Sequence, residues 1–135
     1  MTHTTTPQTT DLNETRFERG TRALAKIDGT SGAEVVAALA DIAPDLGRYI
    51  IEFGFGDIYS RPGLELRERE IATIAALTAM GTATPQLKVH IHAGLNVGLT
   101  REEIIEIMIQ MSCYAGFPAA LNGVFAAKEV FAEHG

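Results

Sequence analysis

Residues 66–98 constrain the fold most strongly, because their apolar side chains recur at intervals of three and four positions. Residues at this spacing share one face of an α-helix. The stretch therefore predicts two helices, over residues 65–80 and 85–98, joined by a turn that contains Gly81 and Pro85. A turn this short makes the two helices antiparallel neighbours.

The rest of the chain repeats the same periodicity between clusters of glycine and proline. It predicts further helices over residues 11–27, 33–43, 44–53, 100–113 and 118–132. Thr100 and Glu103 have the spacing of a capping box. Gly54 and Gly56 weaken the end of the third of these helices, and they also allow a close approach of its backbone to another helix or to a ligand, of which helix packing is the commoner case. No segment alternates long enough to predict a strand. We therefore expect an all-α bundle of six or seven helices, forming a single domain over residues 11–135 after a disordered tail over residues 1–10.

Composition limits the classes of partner and the compartment. The formal net charge of −6 and the lack of any basic run argue against nucleic-acid binding. Charged residues interrupt every apolar stretch before it could span a bilayer, and the N-terminus lacks the features of a signal peptide. The single Cys113 excludes an intramolecular disulfide and fits a cytoplasmic protein. Only 21% of the residues are charged, against 46% that are hydrophobic, which favours a surface partly covered by other subunits.

Each helix of the central pair carries one ionisable residue in its apolar stripe. Glu70 shares a face with Ile74, and His90 shares a face with Leu87 and Ile91. The carboxyl either acts as a general acid or base and orients His90, or is bound by a helix end or by an arginine. Arg67 is a local cation for it. The imidazole either exchanges protons near neutral pH or is a core histidine bonded to a carbonyl.

Three other residues have side chains capable of chemistry. His92 lies on a polar face, and two histidines two positions apart on a helix cannot bind one ion together, so we predict no metal site there. Cys113 is either a nucleophile or a small residue that is half-buried or at an interface. Tyr114, at a helix end, either closes a pocket with its hydroxyl or simply packs.

Four runs of sequence resemble the carboxymuconolactone decarboxylase family, whose members share the alkylhydroperoxidase D-like fold. They are LREREIATIAAL at residues 66–77, QLKVH at 86–90, GLNVGLTREEII at 94–105 and YAGFPAALN at 114–122. The resemblance covers residues 49–131. It implies an all-helical fold, a ring-shaped homo-oligomer that is commonly a trimer or a hexamer, an active site near the subunit interface, and site positions at Glu70 and His90.

The family contains two main chemistries, and the sequence departs from one of them. Peroxidase members carry a Cys-x-x-Cys-x-x-x-His motif, and if His90 is its histidine, the cysteine positions fall on Ala83 and Gln86. A dithiol relay needs one sulfur to attack and another to resolve. The chain is therefore more similar to the γ-carboxymuconolactone decarboxylase branch of aromatic-acid breakdown.

That branch implies a lyase that releases CO2 from a small carboxylated lactone and needs no cofactor. By this resemblance His90 is the proton donor or oxyanion partner, Glu70 orients it, and Arg67 or a cation of a neighbouring subunit holds a carboxylate. Tyr114 is a further expected substrate-binding residue. Two alternatives remain: a thiol-dependent peroxidase that uses Cys113 alone, and a non-catalytic oligomer that binds a small molecule.

Overall fold

The computed structural model describes residues 14–134, in which all regular structure is helical. The chain forms seven α-helices and one π-helix over these residues, without a strand, which confirms the all-α class. The α-helices are α1 (Arg16–Asp28), α2 (Thr30–Ala38), α3 (Pro44–Tyr49), α4 (Leu66–Met80), α5 (Thr84–Asn96), α6 (Arg101–Ala115) and α7 (Phe117–His134), and the π-helix (Ile50–Ile58) follows α3 directly. The tail over residues 1–10 and the helix start predicted at Asp11 lie outside the described residues.

Several helices begin where the sequence supplies a start signal. Pro44 occupies the first turn of α3, where its missing N–H is not needed. At α6, the Thr100 hydroxyl oxygen accepts a hydrogen bond from the Glu103 N–H at 3.1 Å, and the Glu103 carboxylate accepts one from the Thr100 N–H at 3.0 Å. This reciprocal pair is the predicted capping box.

Two helix boundaries differ from the prediction. The turn expected over residues 28–32 narrows to Gly29, whose positive φ of 58° reverses the chain so that α2 starts at Thr30. Gly54 and Gly56 were expected to weaken a helix end or to allow close packing, and the π-helix runs through both and ends at Ile58. A Cβ at position 56 would lie 2.5 Å from the Arg16 carbonyl oxygen, so Gly56 allows a close approach of backbones.

The chain divides into two compact units, one up to Leu66 and one from Arg67. In the first unit α1 packs against the π-helix, and a Cβ at Gly20 would lie 1.9 Å from the Ile51 carbonyl oxygen. Arg16 reinforces this packing, because its guanidinium donates to the Asp57 carboxylate at 2.6 Å.

The second unit packs α7 against α5 and α6. Side chains from α4, α5, α6 and α7 and from the loop before α6 form the core of this unit. They are Ile74, Leu87, Ile91, Leu99, Ile104, Met108, Ala126, Ala127 and Val130. Gly123 lets α7 approach α4 closely, because a Cβ at this position would lie 2.9 Å from the Thr78 methyl group. Along residues 14–134, no helix is both long and apolar enough to cross a membrane.

Candidate active site

Glu70 occupies the buried face of α4. Together with Ile74 and Thr78 it forms a stripe of fully buried side chains at intervals of four, as the apolar pattern predicts. None of the Glu70 surface is exposed. A carboxyl group in such a position has lost its water and requires a partner within the protein.

His90 supplies that partner from α5. Its Nδ1 lies 3.0 Å from Oε2 of Glu70 and 3.4 Å from Oε1. Leu87 and Ile91, both buried, flank the imidazole on α5 and fix the direction in which it points. The His90 side chain keeps 18% of its surface exposed. The structure thus joins the two residues selected from the sequence in one hydrogen-bonded pair, with the imidazole on the solvent side.

The pair assigns a role to each nitrogen of the imidazole. When Glu70 is ionised its carboxylate only accepts hydrogen bonds, and in that state Nδ1 of His90 carries the hydrogen that is shared with Glu70. Nε2 is then the nitrogen that exchanges protons with another molecule.

Arg67 lies in the first turn of α4, where two carboxylates surround its guanidinium group. It forms ion pairs with Glu103 of α6 and, at 3.5 Å, with Glu68. Glu103 is the capping-box residue of α6, so one carboxylate serves both the start of α6 and Arg67. Sequence reasoning identified the capping box but missed this ion pair, because no local spacing relates residues 36 positions apart.

Cys113 and Tyr114 lie in the last turn of α6 and are exposed. Tyr114 has 82% of its surface exposed, and the Cys113 thiol is free. The chain on its own therefore does not bury Cys113, and it leaves the Tyr114 hydroxyl outside the core of the second unit.

His92 points away from the Glu70–His90 pair, as its polar stripe predicts. Its Nε2 lies 3.4 Å from the Glu133 carboxylate, and its ring lies 5.6 Å from that of His134. No group of three or more His, Cys, Asp or Glu side chains within residues 14–134 is arranged to hold a metal ion.

An open groove of about 400 Å³ lies next to the first half of α6. Ile71 of α4, the neighbour of Glu70 in sequence, contributes to its apolar side. The remaining lining comes from α6: Glu102, Glu103, Glu106, Ile107, Ile109 and Gln110. Three carboxylates in the lining make the groove unsuitable for an acidic molecule, because like charges repel.

Comparison with known proteins identifies relatives that cover most of the chain. Residues 44–129 match the model of the carboxymuconolactone decarboxylase family. A 4-carboxymuconolactone decarboxylase of Acinetobacter baylyi is 33% identical over 124 residues, which cover 91% of this chain and 92% of that protein. An uncharacterized 15.0 kDa protein of Paracoccus denitrificans is 35% identical over 97 residues, covering 71% and 72%. A nitrosuccinic acid decarboxylase of Metarhizium robertsii is 23% identical over 120 residues, covering 88% and 83%.

Proposed function

Because the chain belongs to the carboxymuconolactone decarboxylase family, we propose that it is a decarboxylase acting on a small carboxylated lactone of the γ-carboxymuconolactone type. The observation that carries the proposal is the Glu70–His90 pair, a buried carboxylate hydrogen-bonded to an imidazole at 3.0 Å. A pair of this kind holds and delivers one proton, which is what the reaction requires.

The reaction breaks the bond between the substrate carboxylate and the carbon that bears it. The electron pair left on that carbon delocalises through the ring double bond onto the lactone oxygen, so the reaction needs no cofactor in principle. Release of CO2 from a carboxylate consumes one proton, which replaces the lost group on carbon. His90 delivers this proton from Nε2 and recovers it from solvent, and Glu70 holds the ring through Nδ1.

The two decarboxylases among the relatives narrow the chemistry of the substrate. Their names specify a carboxymuconolactone and nitrosuccinic acid. A lactone and a nitro group can each accept an electron pair onto oxygen. The proposed substrate is therefore an acid in which the carbon that bears the departing carboxylate is conjugated with such a group, so that the electron pair left by CO2 reaches an oxygen.

The active molecule is proposed to be a homo-oligomer, a trimer or a hexamer. Phe117, Leu121 and Phe125 follow one another at intervals of four on α7 and are all more than half exposed. Three large apolar side chains on one face of a helix are typical of a surface that another subunit covers.

A substrate panel with matched variants tests the proposed function. Purified parent protein should release CO2 from a carboxylated lactone, and His90→Asn should reduce kcat by about 100-fold or more. Glu70→Gln keeps the shape of the side chain but removes its charge, and we expect a loss of about tenfold or more. Cys113→Ser is the control and should match the parent, since the thiol takes no part.

Two outcomes would redirect the proposal. Peroxide consumption that is lost in Cys113→Ser would favour the thiol-dependent peroxidase, whose exposed thiol is the observation in its support. Parent rates of CO2 release in a correctly folded His90→Asn protein would exclude the imidazole from the reaction.

A further inference from the structure

We propose that Arg67 is a positioning residue, which through its ion pair with Glu103 holds the first turn of α4, and with it Glu70, at its distance from His90. This inference rests on the proposed function of the Glu70–His90 pair. The sequence first suggested that Arg67 binds substrate, and positioning Glu70 is a different role.

The first turn of α4 lacks apolar anchoring. Residues 61–65 are exposed, and residues 66–69 are only half-buried. Glu70 is the first buried side chain of the helix, and Ile74 is the next. Apolar contacts of α4 with the core thus begin only after Glu70, at Ile71 and Ile74, and the turn that leads to Glu70 is free to fray unless polar contacts hold it.

The helix that carries His90 is anchored differently. Leu87 lies one turn before His90 and Ile91 directly follows it, and both are buried in the core. The imidazole therefore sits between two apolar anchors, whereas the carboxyl of Glu70 has such an anchor on one side only. Of the two partners, Glu70 is the one whose position depends on an additional contact.

Arg67 is placed to make that contact. A cation in the first turn of a helix is unfavourable because the N–H groups there already carry positive charge. The Glu103 carboxylate offsets this effect through the ion pair. The Thr100 N–H donates to the same carboxylate at 3.0 Å, and Ile104, the neighbour of Glu103, is fully buried. Glu103 is thus a rigid partner, and the ion pair connects the start of α4 to the start of α6.

The surroundings of Arg67 are unfavourable for an acidic substrate. A substrate carboxylate would have to displace Glu103, which would then lose its cation. Glu102 and Glu106 line the groove beside Glu103, and among residues 14–134 neither forms an ion pair. An incoming anion therefore meets uncompensated negative charge at this place.

Kinetics of matched variants distinguish positioning from substrate binding. We expect Arg67→Ala to lower kcat by about tenfold with KM changed less than about twofold, because a small displacement of a catalytic group slows the chemical step. Arg67→Lys should recover part of the loss. Glu103→Gln should lower kcat in the same way, and the double variant should be no worse than the more affected single variant.

The control is Lys88→Ala, which removes another exposed ion pair, between α5 and Glu129 of α7. Since apolar side chains already anchor α5, this variant should keep the parent kcat. A rise of about tenfold in KM for Arg67→Ala, with Glu103→Gln at or below the parent KM, would instead show that Arg67 binds the substrate and would overturn the proposal.

A readout without substrate separates this inference from the proposed function. The proton on Nδ1 of His90 should give a downfield NMR signal in the parent and in Lys88→Ala, because it is hydrogen-bonded to Glu70. In Arg67→Ala this signal should broaden or move upfield, and Arg67→Lys should restore it. An unchanged signal in Arg67→Ala would overturn the positioning role, whatever the substrate panel shows.

Discussion

Glu70 and His90 show how much a single residue in an unexpected place can indicate. Each is an ionisable residue in an apolar stripe, and the two stripes belong to neighbouring helices, so both the burial and the meeting of the side chains follow from sequence spacing. The ion pair of Arg67 with Glu103 could not be predicted in this way. It depends on how α4 and α6 pack in three dimensions, and the intervening residues contain no signal for that.

Thr78 is a second polar residue in the buried stripe of α4, and its hydroxyl oxygen has no hydrogen-bond partner among residues 14–134. An unpaired buried hydroxyl destabilises the folded state. Thr78→Val keeps the shape and removes the hydroxyl, so it should raise the free energy of unfolding by about 1 kcal/mol, as measured by urea titration. Thr78→Ser, which keeps the hydroxyl and loses the methyl group, should be less stable than the parent. A Thr78→Val protein less stable than the parent would show that the hydroxyl does find a partner.

Asp57 provides a dependence on pH in the first unit. The hydrogen bond from Arg16 lowers the pKa of the Asp57 carboxyl below its ordinary value of 3.8. A lowered pKa in the folded state means that the stabilisation is complete above about pH 4 and disappears as the pH falls through the folded pKa. Asp57→Asn should therefore have a lower melting temperature than the parent at neutral pH, and this difference in melting temperature should vanish as the pH falls below 4. A difference in melting temperature that stays constant down to pH 2 would show that the stabilisation does not come from the Asp57 charge.

At the scale of elements, start and stop signals were predicted better than the type of helix. Pro44 and the Thr100–Glu103 capping box mark real helix starts because each acts on neighbouring backbone groups. The sequence predicted a helix in this region but not its π type, and α1 approaches the π-helix closely at Gly20 and Gly56. Close packing was among the interpretations of the Gly54 and Gly56 pair, and the structure confirms it at Gly56, but its partner on α1, the Arg16 carbonyl group, could not be predicted.

Two glycine substitutions test this packing between α1 and the π-helix. In Gly20→Ala the new Cβ would lie 1.9 Å from the Ile51 carbonyl oxygen, and a backbone atom cannot move aside cheaply. We expect it to lose about 3 kcal/mol or more of unfolding free energy. Gly54→Ala is the matched control within the π-helix, because its Cβ meets nothing within 4 Å. It should stay within about 1 kcal/mol of the parent, on the stabilising side. Equal losses in both variants would show that helix type, and not close packing, requires these glycines.

For the whole molecule, the sequence predicted the helical class and the family, and the structure and the comparisons confirm both. Helical periodicity is a strong signal because nearly every turn of a bundle repeats it. The assembly stays a prediction, since a surface that faces another subunit and a core face carry the same apolar residues. The exposed stripe on α7 illustrates this, because its spacing resembles that of the buried stripes on α4 and α5.

The α7 stripe makes the predicted assembly testable. Leu121 is the central member of the stripe, so a charge placed there would face the apolar surface of the other subunit. We expect the parent to elute from a size-exclusion column as a trimer or a hexamer with light-scattering detection, and Leu121→Lys to elute as a smaller species with the same helical circular dichroism.

The control is Asn122→Lys, which adds the same charge at the next exposed position, on a different face of α7, and should assemble like the parent. Because the active site is expected near the subunit interface, Leu121→Lys should also lose CO2 release while Asn122→Lys keeps it. A monomeric parent, or a Leu121→Lys protein that assembles normally, would show that this face of α7 is not the interface.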